Sequence, residues 1–224
     1  MLEMSRKCVP YTPVTNKLHD MRIALVSATG VYLEGQEPYL DHNDDTYRIL
    51  PGDFDSKQTR IKHGHYDSSD AEKDINCVFP IDRLRELADE GLIKAVSNKH
   101  IGFKGASTDL KRQYEYLAPK IAHEIEHSQA DGVILTGGCP LCHRVVGAVQ
   151  REIEGKGIPT VMITVVPQES KTMRPPRAIH PVGHTMGRVL GVAGDSVTQK
   201  KTLKQALQQF EKLTLPGLIV EINL

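Results

Sequence analysis

The spacing of apolar positions puts the first regular element at MRIALVSA, Met21 to Ala28, a run that ends at Thr29-Gly30 and predicts a buried strand. Residues 31–79 then carry only short apolar pieces such as YRIL between Gly, Pro and charged residues, the pattern of a long loop with one or two short strands. PIDRLRELADEG predicts a helix with Pro80 near its first turn, Leu84 and Leu87 on one face and Gly91 as its stop. A short strand, LIKAVS, comes next. Ser107 to Asp109 suit the N-cap of a helix running through LKRQYEYLAPKIAHEIEHSQ, where Leu110, Tyr114, Leu117, Ile121 and Ile125 form one apolar stripe and Pro119 predicts a kink.

The central unit lies at 131–166. DGVILTGG is an almost wholly apolar strand, CPLCHRVVGAVQREIEG a helix that Pro140 opens and Gly155 or Gly157 closes, and IPTVMITVVP the next strand. Strand, helix, strand implies a right-handed crossover and parallel pairing. A last helix around DSVTQKKTLKQALQQFEKL leads to LPGLIVEIN, which predicts an edge strand. The class expected is α/β: an open, mostly parallel sheet with helices on both faces, three layers in all. Residues 1–224 are read as a single domain, with 31–79 as a long N-terminal loop insertion.

At 224 residues the chain is long enough to bury a sizeable core. Its 28 basic residues balance 28 acidic ones, so composition argues against a general nucleic-acid binder. No apolar run approaches the about 18 residues of a spanning helix, and MLEMSRKCVPYTP lacks the apolar core of a secretory leader. The expectation is a cytoplasmic chain with no membrane partner, compatible with a homo-oligomer. The four cysteines, Cys8, Cys77, Cys139 and Cys142, are too few for a disulfide scaffold and are expected as thiols unless one pair is catalytic.

In open α/β sheets the ligand crevice lies beyond the carboxyl ends of the strands. Thr136, Gly137 and Gly138 fall there, and the two glycines permit a tight turn and close backbone approach, so these residues are expected at the substrate. Cys139 follows at a helix N-terminus, where free N–H groups favour thiolate over thiol, and Cys142 lies one turn on, the spacing at which a second thiol resolves a mixed disulfide. A dithiol site therefore fits, with Cys139 as nucleophile. The same spacing also serves zinc, and inert buried cysteines are the third reading.

Histidines cluster in two places. KHGHYDSSD holds His63 and His65 at i and i+2, with a proton-transfer role for His65; if a metal binds, Cys139, Cys142, His63 and His65 are its expected ligands, although none is required. RPPRAIHPVGHTMG follows the strand ending at Val166-Pro167, which puts Arg174, Arg177, His180 and His184 on a loop at the carboxyl edge; Arg177 and Arg174 would hold a substrate anion and His180 would deliver a proton. HEIEH, His123 to His127, matches the zinc-protease pattern, but the apolar stripe through Ile121 and Ile125 leaves its histidines at the border of the buried face.

Taken together, RIALVSATGVYLEGQEPY, RIKHGHYDSSDAEKDINCVFPIDRLRELADEG, ADGVILTGGCPLCHRVVGAVQREIEGKGIPTVMITVVP and RAIHPVG resemble the glycine/sarcosine/betaine reductase component B and D-proline reductase family. The resemblance implies reductive cleavage of a carbon–nitrogen bond. Characterised members commonly use selenocysteine, and by placement after DGVILTGG the matching position here is Cys139, with Cys142 as its partner. It also implies further subunits of a reductase complex, a small-molecule substrate, and an external dithiol or thioredoxin-like electron donor, with no other cofactor expected and zinc as a lesser option. Two other readings stay open: a cofactor-independent racemase using Cys77 and Cys139, and a non-enzymatic metal-binding subunit using Cys139, Cys142 and nearby histidine. They differ in which side chain lies against the Cys139 sulfur.

Overall fold

The computed structural model describes residues 8–224. Its strands are β1 (Arg22–Ala28), β2 (Val31–Leu33), β3 (Tyr47–Pro51), β4 (Thr59–Ile61), β5 (Ala95–Val96), β6 (Lys99–Phe103), β7 (Gly132–Gly137), β8 (Thr160–Ile163), β9 (Arg177–Pro181) and β10 (Leu218–Ile222). Its helices are α1 (Ser69–Lys73), α2 (Ile81–Asp89), α3 (Leu110–Arg112), α4 (Ala118–Glu126), α5 (Pro140–Gly155), α6 (Pro167–Lys171), α7 (Ser196–Leu207) and α8 (Gln209–Lys212).

The main sheet runs β10-β9-β8-β7-β1-β6-β3, with β5 also on β1. Every pair is parallel except β3 on β6, the antiparallel edge. Alternation along β1 separates the two cores: Ile23 and Leu25 face α2 and α7, whereas Ala24, Val26 and Ala28 face α4 and α5. The predicted α/β layering with helices on both faces is therefore the architecture observed. The crossover β7-α5-β8 sits at its centre, with Ile134 opposite Leu25 and Val161.

Several elements differ from the sequence reading. The stretch 31–79 contains β2, β3, β4 and α1, and β3 closes one edge of the main sheet. LIKAVS contributes only two strand residues, while KHIGF, which the apolar pattern assigned to no element, forms β6 beside β1. His100 hides this strand from a hydropathy reading; its Nδ1 accepts the Leu25 N–H at 2.9 Å, and burial pushes its pKa down to about 3, so it enters the core uncharged. RAIHP, read as loop, is β9, paired on both sides and so buried despite its flanking prolines. At Pro119 a π-helical turn, Gln113–Leu117, links α3 to α4, one way a chain absorbs the missing proline N–H.

Among the described residues, no helix is long and apolar enough to cross a membrane.

Candidate active site

The site forms where β7 ends. Cys139 is extended (φ −126°, ψ 174°) and caps α5: its Sγ accepts the Cys142 backbone N–H at 3.4 Å, and Pro140 fills the first helical position without an unsatisfied donor. One turn of helix brings the Cys142 Sγ to 2.9 Å from the Cys139 Sγ. Both side chains are buried, so the pair sits under a cover of protein and not at an open surface.

The cover comes from the loop after β4. His63 places Nε2 3.1 Å from the Cys142 Sγ, and Tyr66 stacks on the His63 ring at 4.7 Å between centroids. The Tyr66 hydroxyl donates to the Thr29 carbonyl at 2.9 Å, which fixes the loop to the end of β1. Behind Cys142, Gly105 lies so close that a Cβ there would stand 3.0 Å from the Cys142 Cα. These partners act unequally on the two sulfurs. The Cys142 thiol, the His63 ring and a backbone N–H hold the Cys139 thiol well below its ordinary value, against the opposing effect of burial. Burial and the neighbouring Cys139 anion push Cys142 up, so the pair shares one proton.

His143 is not part of the reacting group. Its Nδ1–H donates to the Cys139 carbonyl at 2.8 Å and its Nε2 accepts the Val165 N–H at 3.3 Å, an arrangement satisfied by the neutral ring, and burial lowers its pKa.

The space beside the two glycines expected at the substrate is filled by protein side chains. A Cβ on Gly138 would lie 2.4 Å from Tyr66 Cε1, and one on Gly137 would lie 3.1 Å from His143 Nδ1. Thr136 is equally committed, its hydroxyl donating to the Val78 carbonyl at 2.6 Å in a cluster with Ser27 and Thr29.

Arg177 and Arg174 do not reach the cysteines. Because RAIHP is a strand, Arg177 starts β9 at the amino edge of the sheet and Arg174 precedes it, whereas Cys139 follows the carboxyl end of β7. Arg177 forms a fully buried ion pair with Glu154 at 2.8 Å, donates to the Thr12 and Leu213 carbonyls, and stacks on Tyr11. His180 is at the carboxyl end of β9, two strands from β7, with Nδ1–H donated to the Thr164 carbonyl at 2.9 Å. His65 lies next to His63, ring centroids 5.6 Å apart, and with His42, Asn43, Ala106, Ser107, Thr108 and Leu141 it lines a cavity of about 230 Å³. The i, i+2 reading of His63 and His65 fails at Gly64, where the chain bends, sending one ring inward and the other to this cavity.

The residues that sequence reasoning missed are Tyr66, Gly105 and Lys104. Lys104 is a buried ammonium that donates to the Leu40 and Asp41 carbonyls at 2.6 and 2.7 Å and contributes positive potential near Cys142. Its signal was KG following an apolar strand, legible only once that strand is recognised. Cys77 is packed in the opposite core, its pKa pushed up to about 12 by burial, with Gln199 near its sulfur. The sulfur facing Cys139 is that of Cys142.

Among the described residues, two groups are close enough to hold a metal ion: His63 with Cys139 and Cys142, whose ligand atoms all lie within 4.8 Å of one another, and the exposed set His123, Glu126 and His127. In the second, Glu124 is drawn away to Lys99 and Tyr47, so the protease constellation does not assemble. In the first, His63 Nδ1 accepts the His65 backbone N–H at 3.2 Å, which places the ring proton on Nε2, the atom facing sulfur. A metal-bound Nε2 needs the reverse tautomer, with Nδ1–H donating outward, so this ring is set as a donor to sulfur and not as a ligand.

Comparison with known proteins adds the family. The model for glycine/sarcosine/betaine reductase selenoprotein B matches residues 2–138, ending one residue before Cys139. The chain is 39% identical over 212 residues to D-proline reductase subunit gamma of Acetoanaerobium sticklandii, covering 95% of this chain and 87% of that subunit. It is 30% identical over 212 residues to glycine reductase complex component B subunit gamma of Carboxydothermus hydrogenoformans, and 26% identical over 212 residues to sarcosine reductase complex component B subunit beta of Peptoclostridium acidaminophilum. It spans 48% of the length of each of these two. No solved structure matches the chain. With more than half of its length inside the family model and nearly all of it aligned to a reductase subunit, the chain belongs to the glycine/sarcosine/betaine reductase selenoprotein B family, a family of redox-active enzymes.

Proposed function

We propose that the chain is the thiol-bearing subunit of an amino-acid reductase and works by a dithiol to disulfide cycle at Cys139 and Cys142. The Cys139 thiolate attacks the activated substrate carbon as its carbon–nitrogen bond breaks. The Cys142 thiol then attacks the Cys139 sulfur, the sulfur–carbon bond breaks and the carbon leaves with the electron pair and a proton as reduced product, and an external dithiol reduces the resulting disulfide. The observation that carries this reading is the 2.9 Å separation of the two sulfurs at the N-terminus of α5. His65, on the adjoining cavity, is the proton donor to the leaving group in this scheme; His180 stands two strands away and is the weaker candidate. Alignment over 87% of D-proline reductase subunit gamma makes a proline-reducing assembly the first to test, with the remaining subunits supplying substrate activation.

The test uses the chain reconstituted with its partner subunits. Cys139→Ser abolishes turnover, and Cys142→Ser accumulates a covalent adduct on Cys139 that mass spectrometry detects. Full turnover by Cys139→Ser would end the assignment. The metal reading rests on the His63, Cys139 and Cys142 cluster; stoichiometric zinc in protein purified without chelator would favour it over the cycle, and the His63 tautomer argues against it.

A further inference from the structure

His63 was named as a ligand should a metal bind, and the geometry gives it other work. Its Nδ1 is occupied by the His65 backbone N–H at 3.2 Å, and its ring is clamped by Tyr66, whose hydroxyl is anchored on β1. With Nδ1 accepting that N–H, the ring proton sits on Nε2. That Nε2–H is directed at the Cys142 sulfur, 3.1 Å away.

We infer that His63 is a hydrogen-bond donor to the Cys142 sulfur, positioned to stabilise it as the leaving thiolate when the Cys139–Cys142 disulfide is reduced. This rests on the dithiol reading above. The donor is any small or protein-borne dithiol. Its thiolate attacks the Cys139 sulfur, the less enclosed of the two; a bond forms between donor sulfur and Cys139, the Cys139–Cys142 bond breaks, and the electron pair leaves on Cys142. The Nε2–H already points there. The second donor thiol, deprotonated by solvent, then attacks the mixed disulfide; the donor leaves oxidised and Cys139 is released as thiolate. Two electrons have passed from donor to protein, and the proton taken up from solvent is shared by the cysteine pair. In the reduced state the same donor polarises a chain from Nε2–H through the Cys142 thiol to the Cys139 anion, so one group serves both halves of the cycle.

The test starts from the full chain oxidised with diamide, with the rate of disulfide reduction by excess dithiothreitol followed by alkylation and mass spectrometry. His63→Ala is expected to be slower by about ten-fold or more, the loss of a hydrogen bond to a charged group, while His63→Gln, whose Nε2 restores a neutral donor, recovers most of the rate. His63→Leu keeps bulk without a donor and replaces His63→Ala if that variant does not fold. Donor-less variants as fast as wild type, or a glutamine variant as slow as the donor-less ones, would overturn the inference. Failure of the disulfide to form at all is a separate result, and it overturns the dithiol cycle itself.

Discussion

Cys139 and Cys142 are the same residue type three positions apart, yet their surroundings make them opposites. Cys139 lies at the open end of α5 and accepts hydrogen bonds, which lowers its pKa; Cys142 has no water contact and donates, which raises its own. The sign matters for pH: a depressed thiol keeps its thiolate as pH falls, losing it only on approach to the lowered value, whereas an ordinary thiol gains thiolate only above about pH 8. The reduced protein should therefore show thiolate absorbance at 240 nm at about pH 6, absent from Cys139→Ser. Absorbance that appears only with ordinary thiol titration contradicts this electrostatic account. At this scale the sequence was informative about chemistry, since glycines, proline and cysteine spacing located the pair. It did not record that the empty Cβ positions of Gly137 and Gly138 accommodate the His143 and Tyr66 rings.

Among elements, the turn from β7 into α5 and the His63 to Tyr66 loop form one fitted unit. Gly138→Ala puts a methyl group where Tyr66 Cε1 stands, so the tyrosine must move and carry His63 with it. The expected effect is about 1–3 kcal/mol of lost stability from overpacking, together with weaker thiolate absorbance. Denaturant unfolding measures the first and ultraviolet titration the second; an alanine variant unchanged in both would show that the loop does not rest on Gly138. Legibility follows burial pattern here. β1, β7, α5 and β8 have strong apolar periodicity and were readable, whereas β6 contains Lys99, His100 and Gly102, and β9 is bracketed by prolines. Their strand state comes from neighbours on both sides, a tertiary cause that local spacing does not record. Misreading β9 as a loop is also what moved Arg174 and Arg177 to the wrong edge.

For the whole molecule, the buried Arg177 and Glu154 pair ties three distant pieces together: β9, the end of α5, and the N-terminal arm through the Thr12 carbonyl and the Tyr11 ring. Removing one partner leaves an uncompensated buried charge, so Arg177→Ala should cost about 3–5 kcal/mol of stability while the 240 nm thiolate signal persists in the folded protein. Loss of substrate affinity without loss of stability would return Arg177 to the binding role first expected of it. Sequence alone could not show this network, because its members are 142 and 165 residues from the arm. The layered sheet delivers Cys139 to its carboxyl edge, and family membership gives that edge a redox setting; the cycle joins the two. Its most direct measurement is the state of the cysteines after one turnover of the reconstituted complex without electron donor. Peptide 121–144 carries both residues, and the account predicts it linked internally as a disulfide and closed to alkylation. The same peptide recovered with both thiols alkylated after product has formed would contradict it.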